Sequence, residues 1–327
     1  MTLLVTGSAG RIGRSLVQKL LANQHSVRGI DLRPSGIAHA RFAEVLAPFD
    51  DSDAVGKAMD GVRVVFHLGA FMSWLPHDQQ KLYTANVEGT RVVTDAAVRA
   101  GVERFIFASS GEVYPEGAPE RLPVDETHPT RPRSFYGLSK LLGEEMVRWA
   151  GRSHGLAFTI LRFSHTQDAA ELLDPASAFS GPRFFLQPRI RQQEAMGNGA
   201  AVAALRAVDD GTPAMVLARN EQGRPFRMMI TDTRDMVGGL CATLQSPRMI
   251  GETCNLGATK PVDFADVLPE MARITGLPLR LVDLPGAGVY YETSNERFRT
   301  FTGYEPTYTF HRMLEEAAVA WRAKQTS

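Results

Sequence analysis

Thr6-Gly7-Ser8-Ala9-Gly10-Arg11-Ile12-Gly13 is the stretch that decides how this chain is read. It follows the short apolar run Leu3–Thr6 and opens Arg11–Asn23, where Ile12, Leu16, Leu20 and Leu21 recur at helical spacing, so it is predicted to be the tight turn between a first strand and a first helix. At such a turn, backbone N–H groups and the positive end of the helix converge on one point, which suits a pyrophosphate. A side chain at Gly7 would obstruct the turn, one at Gly10 would keep a phosphate off the backbone, and one at Gly13 would push the helix off the sheet. Asp31 ends the next predicted strand, eighteen residues beyond Gly13. A carboxylate there takes both hydroxyls of an adenosine ribose and repels a 2′-phosphate, so the expected cofactor is NAD rather than NADP. Arg33, two residues on, is the feature that argues the other way.

Outward from this turn the alternation continues. Strands are expected at Ser26–Asp31, Arg41–Leu46, Val62–Leu68, Arg104–Ala108 and Ala157–Arg162, with helices near Asp51–Met59, Gln79–Arg99 and Tyr136–Gly151. Short apolar strands taking turns with helices imply an α/β chain of the doubly wound class, a mostly parallel sheet covered on both faces. After Arg162 the rhythm breaks. Ser164–Asp210 is rich in aromatics, arginine, proline and glutamine, with one helical segment near Gln192–Ala207. Alternation returns through Ala214–Leu217, Asp235–Leu244, Thr253–Leu256, Asp263–Thr275 and Leu279–Val282, and a last amphipathic helix runs from Phe310 to about Ala323. The expected organisation is a dinucleotide-binding domain over 1–162, completed by late elements from about 228–258. A smaller, interleaved C-terminal substrate-binding lobe takes 163–227 and 259–327.

Composition narrows the function. Thirty-six basic residues balance thirty-six acidic ones, so no net field favours nucleic acid or an anionic membrane. No apolar run reaches the ~18 residues of a membrane span, and the N-terminus lacks the pattern of a secretion signal. The eight histidines and two cysteines show no metal-ligand spacing, so no metal site is expected, and the lone thiols Cys241 and Cys254 fit a reducing, cytoplasmic setting. The expected partner is a small molecule.

Tyr136-Gly137-Leu138-Ser139-Lys140 opens a predicted helix and projects Tyr136 and Lys140 from one face, a turn apart. A phenol with pKa ~10 is a poor base at neutral pH, but a neighbouring ammonium and a cationic nicotinamide both favour phenolate. Tyr136 then takes a proton from a substrate hydroxyl as hydride leaves the carbon. Ile106–Ser110 ends a buried strand at the carboxyl edge of the sheet, where Ser110 can hydrogen-bond the reacting oxygen.

In chain order, T-G-x-x-G-x-x-G at 6–13, His67-Leu68-Gly69-Ala70, Asn86-Val87-Glu88-Gly89-Thr90, Ser109-Ser110-Gly111-Glu112-Val113-Tyr114, Tyr136-x-x-x-Lys140 and Leu161-Arg162 resemble the extended short-chain dehydrogenase/reductases, the NAD-dependent epimerase/dehydratase group. Arg224–Asp235, Asn255-Leu256-Gly257 and Thr293–Tyr304 extend the resemblance across the C-terminal half. It implies a Rossmann-like fold, Tyr136 as general acid/base, Lys140 on the nicotinamide ribose and Ser110 on the substrate oxygen. It also implies that NAD is contacted by the turn (Gly7, Gly10, Arg11, Ile12, Gly13), by Asp31 and Leu32, and by Leu68, Gly69 and Ala70. Asn86, Ala108, Phe163, Tyr136 and Lys140 complete that set. A homodimer is implied, packed through a four-helix bundle of helices Gln79–Arg99 and Tyr136–Gly151.

The departures bear on the substrate. The family's adenine-contacting Asp is replaced by Pro48, leaving Phe49 to meet the adenine. Dehydratases of the group carry adjacent Asp and Glu where this chain has Gly111-Glu112, which disfavours elimination through a paired acid and base. Nucleotide-sugar epimerases place an Asn where His165 stands, which disfavours a UDP-sugar. Arg183, Arg189 and Arg191 in the irregular region, with Arg227 later, offer forked guanidiniums suited to a carboxylate or phosphate. Ser73, Trp74, Ser110, Glu112, His165, Arg183 and Arg227 are the candidate substrate residues, and the expected substrate is a sugar, sugar acid or similar polyol. The leading expectation is net NAD-dependent oxidation of such a carbohydrate-like alcohol. The alternatives are a nucleotide-sugar (UDP-hexose type) epimerase that retains its NAD and a non-catalytic NAD-binding regulatory protein.

Overall fold

Leu3, Leu4 and Val5 are all fully buried, which a strand achieves only when both faces of its sheet are covered. Leu3 and Val5 enter a core with Leu16, Leu20, Met236 and Leu240, while Leu4 enters a second core with Val92, Val93 and Val147. The computed structural model describes residues 1–325. Its strands β1 (Thr2–Thr6), β2 (Ser26–Asp31), β3 (Phe42–Leu46), β4 (Val64–His67), β5 (Arg104–Ser110) and β6 (Phe158–Phe163) join Thr253–Leu256 in one seven-stranded sheet. Every pairing in it is parallel, and the order from one edge is Thr253–Leu256, β6, β5, β4, β1, β2, β3. The winding reverses between β1 and β4, so the crevice beyond their carboxyl ends is where a ligand of such a sheet binds. The glycine-rich turn, Leu68–Ala70 and Ser110 all leave strands on that side.

Helix α1 (Arg11–Ala22) packs with Thr233–Gln245 on one face. On the other face lie Ser52–Met59, a composite helix over 79–100, and Phe135–His154. The expected single helix Gln79–Arg99 is α-helical over Gln79–Leu82, widens to a π-helix over Tyr83–Glu88, and resumes as Gly89–Ala100. Gln192–Ala207, expected as one helix, is two: Leu186–Ala195 and Gly199–Arg206. Gly197 takes φ +71 between them, a left-handed conformation that ends a helix, and the Asn198 side chain accepts from the Ala201 N–H to start the next.

The smaller lobe has its own core, in which Phe184, Met215, Phe264, Leu268, Met271 and Leu314 are buried together. Phe298, in Glu296–Thr302, goes instead to the core beneath the large sheet. Among the described residues no helix is long and apolar enough to cross a membrane.

Candidate active site

The turn after β1 is built for a close backbone approach. Gly7 sits at φ +70, and a Cβ on it would lie 2.7 Å from the Gly69 Cα. A Cβ on Gly13 would lie 2.0 Å from the Gly7 carbonyl oxygen, so α1 reaches this depth only with glycine there. The cradle therefore fits a dinucleotide's pyrophosphate on steric grounds as well as by its helix N-terminus. Asp31 is held beside it, accepting from the Ala9 N–H at 3.0 Å and the Arg33 N–H at 3.2 Å. Leu32, 69% exposed, and the exposed Arg33 side chain flank its outer edge.

Gly69 is tied to the turn through Thr6, whose Oγ1 accepts the Gly69 N–H at 2.9 Å and lies 2.7 Å from His67 Nδ1. The other ring nitrogen, Nε2, lies 3.0 Å from Thr90 Oγ1, so both sides of the imidazole are engaged by hydroxyls. Burial, and then the Lys140 charge, push the His67 pKa down to about 3, so the ring is neutral. Phe49 lays its ring edge-on to His67 and against Gly69. Asn86 stands behind this wall. Its Oδ1 accepts the Phe71 N–H at 2.8 Å, and its amide donates to the Phe71 carbonyl and to Ser139 Oγ. It pins the loop after β4 to the helix that carries Tyr136.

That helix starts at a Ser134 cap, whose Oγ accepts the Gly137 N–H at 2.9 Å. Ser110 Oγ accepts the Glu112 N–H at 3.1 Å and faces the same cavity as the Tyr136 phenol, while burial and then the Glu112 carboxyl hold the phenol above its ordinary 10. Burial pushes Lys140 down to about 7, opposed by Glu144 one turn further on. Its ammonium lies 4.5 Å from the Phe107 ring centre, and no hydrogen-bond acceptor engages it among the described residues. Glu144 is fully buried and fully satisfied: it accepts from Arg162 twice at 2.8 Å, from Arg148 at 2.7 Å and from Ser109 at 2.6 Å. Burial opposes its ionisation, but these partners, Arg162 first, hold its pKa below the usual carboxylate value.

These groups open on one cavity of about 420 Å³, lined at one end by Gly10, Ile12, Leu68, Ala70 and Ala108, and in the middle by Ser110, Tyr136, Lys140 and Phe163. The far end is lined by Trp74, Glu112, Glu116, His165, Phe179 and Arg183. Trp74 Nε1 donates to Glu112 Oε1 at 3.0 Å, and Ser134 donates to the other oxygen. Burial, then Glu116, push the Glu112 carboxyl up to about 7. Glu116 lies 3.4 Å from His165 Nε2. Of the substrate candidates, Ser73 is turned away, donating to Asp78 Oδ2 at 2.7 Å. Arg227 is engaged by Glu292 at 2.9 Å, and Arg191 points to solvent.

Glu116 and Phe179 were not singled out as site residues from sequence, although Glu116 follows the 109–114 motif by two positions. Arg11 does more than open the cradle. Its guanidinium donates to both Glu171 oxygens at 2.8 and 2.6 Å and to the Thr166 carbonyl at 3.1 Å, and it lies 4.8 Å from the Phe179 ring centre. The turn is thereby clasped to the irregular region that walls the far end.

A dinucleotide cradle leading to a Ser-Tyr-Lys set at the carboxyl edge of a parallel sheet defines an NAD-dependent enzyme of the short-chain dehydrogenase/reductase type. The model of the NAD dependent epimerase/dehydratase family matches residues 3–167, and the chain belongs to that family. A solved short-chain dehydrogenase/reductase superfamily protein from Agrobacterium tumefaciens, with NAD bound, is 57% identical over 100% of this chain and 98% of its own, with a TM-score of 0.96. A putative UDP-glucose 4-epimerase of Methanocaldococcus jannaschii is 32% identical over 67% of this chain and 73% of its own. A uronate dehydrogenase of Pseudomonas syringae is 34% identical over 49% of this chain and 58% of its own.

Proposed function

We propose that the chain oxidises a secondary alcohol or hemiacetal carbon of a carbohydrate-like substrate, with net release of NADH and a ketone, lactone or acid product. The observation that carries this reading is the convergence of Ser110, Tyr136 and buried Lys140 on one cavity whose further polar walls are Glu112, Glu116 and His165. When bound, NAD supplies the hydride acceptor and a positive charge. Ser110 and Tyr136 receive the substrate hydroxyl, and the phenolate oxygen takes its proton as the C–H bond breaks. Lys140 meets the ribose hydroxyls and keeps a positive charge near the phenol, offsetting the burial and the Glu112 charge that now hold it high. The carboxyls of Glu112 and Glu116 accept hydrogen bonds from further substrate hydroxyls. Asp31 takes the adenosine ribose, so NAD is used in preference to NADP.

A second reading, an epimerase that returns the hydride and retains its NAD, is favoured by the M. jannaschii relative. Against it, an imidazole, His165, 3.4 Å from Glu116, stands where a nucleotide diphosphate would need a neutral amide. Absorbance at 340 nm with excess NAD, across free aldoses, aldonic and uronic acids and UDP-sugars, separates the two. NADH accumulation supports the dehydrogenase, and sugar interconversion without it, by protein that purifies with NAD, supports the epimerase. We place the enzyme in the cytoplasm, consistent with two free thiols. We also assign a homodimer to the exposed apolar side chains Tyr83, Leu138, Leu142 and Trp149 on helices 79–100 and 135–154. Sedimentation of Leu142→Glu as a monomer would support it.

A further inference from the structure

Beside Arg183 the cavity adjoins a second chamber of about 250 Å³, which shares Trp74, Glu112, Glu116 and His165 with the first, is lined further by Arg189, Phe226, Met228 and Phe264, and opens to solvent past Ala178, Gln192 and Gln193. Arg183 lines both chambers, and Arg189 only the second. Arg183 is aimed by Gln167, whose Oε1 accepts from it at 2.8 Å, and Gln167 is itself buried and bonded to Ser180. Arg189 is 8% exposed and packs 5.1 Å from the Phe226 ring centre. Its only hydrogen bonds among the described residues are long ones, 3.4 Å, to the Pro182 and Arg183 carbonyls, and its Nε is buried without an acceptor.

Neither guanidinium forms an ion pair with a carboxylate among the described residues, and that sets Arg189 apart from Arg162, as deeply buried but held by Glu144, while Arg183 is half-buried. Arg104 also lacks a carboxylate, yet it lies outside both chambers and donates to Thr159 and the Leu244 carbonyl. Holding an uncompensated cation out of water is costly, and two in one apolar chamber repel each other. Burial pushes both down to about 10. The carboxyls nearby relieve this only in part: Glu116 favours the Arg183 charge across the cavity without pairing with it, and Glu112 is held by Trp74 and Ser134. An anionic ligand would supply the remaining counter-charge, and the apolar side chains around the chamber strengthen whatever ion pair it makes.

We propose that Arg183 and Arg189 form an oxyanion subsite in this second chamber, which takes the carboxylate or phosphate terminus of the substrate whose hydroxyl meets Tyr136. This rests on the reading of Tyr136 given above. Away from the cofactor cradle the cavity then reads as acid/base at Tyr136, hydroxyl acceptors at Glu112 and Glu116, and cations at Arg183 and Arg189. Arg191, on the same helix as Arg189 but exposed, takes no part.

The test measures binding without turnover, by calorimetry on NAD-loaded Tyr136→Phe protein with D-gluconate, D-glucuronate, D-glucose 6-phosphate and neutral D-glucose. At least one anion is expected to bind ten-fold or more tightly than glucose, with the carboxylates or the phosphate ester leading according to which terminus the subsite takes. Adding Arg183→Met or Arg189→Met is expected to erase that advantage ten-fold or more while NAD affinity stays within three-fold, and Arg191→Met to leave it intact. No anion binding better than glucose overturns the proposal, and this arm needs no arginine variant to fold. An advantage that survives both Arg183→Met and Arg189→Met overturns it as well. Because the readout is binding, a wild-type protein that makes no NADH would count against the proposed reaction and leave this result standing.

Discussion

Lys140→Met should make the NAD-free protein more stable, not less. Burial lowers the Lys140 pKa from 10.5 to about 7, and at ~1.36 kcal/mol per unit that fall corresponds to about 5 kcal/mol. The direction follows from proton binding. Between pH 7 and 10.5 the unfolded chain holds a proton that the native state has released, so stability rises with pH across that window. Below pH 7 both states are charged and the whole penalty stands. Methionine fills similar volume without the charge, so at pH 6 the variant should exceed the parent by several kcal/mol in urea unfolding. The gap should narrow as pH climbs from 7 towards 10.5. A cofactor that meets the ammonium offsets the same penalty, so NAD should stabilise the parent more than the variant. A variant that is less stable at pH 6, or a gap that does not change with pH, would refute the reasoning.

Other perturbations read other parts of the account. Gly13→Ala places a Cβ 2.0 Å from the Gly7 carbonyl, and NADH fluorescence titration should show at least a hundred-fold loss of affinity; retention within three-fold would contradict the cradle. Glu144→Gln strips a buried Arg162 of its carboxylate and should cost about 3–5 kcal/mol, with Glu144→Leu/Arg162→Met recovering most of it in the same unfolding assay. His67, held neutral with its pKa down at about 3 rather than 6.5, charges only in the unfolded chain between those values. Stability should therefore fall by up to ~1.4 kcal/mol per unit as pH drops below 6.5, and His67→Phe should flatten that slope between pH 6.5 and 4.5.

The parts of this molecule that were legible in sequence are those set by short-range geometry. Gly7 and Gly13 declare the turn because a few neighbouring atoms exclude any Cβ, and Tyr136 and Lys140 share a face because four residues make about one helical turn. The unread parts are set by contacts made across the chain. Arg11 meets Glu171 at a separation of 160 residues, and nothing near either position announces the pair. Ser73 and Arg227 carry suitable chemistry, but Asp78 and Glu292 claim them first. The bonds that Asn86 makes to Phe71 and Ser139 likewise depend on where the loop after β4 comes to rest. The break at Gly197 was visible as a glycine, yet its positive φ is what divides the helix.

The central claim, that Tyr136 moves the substrate proton while Ser110 and Lys140 position and charge it, is tested most directly by Tyr136→Phe. The phenol oxygen is removed and the ring is kept, so NAD affinity should stay within three-fold of the parent while the rate of NADH formation at 340 nm falls by at least a thousand-fold. A variant that still turns over within ten-fold of the parent would contradict it.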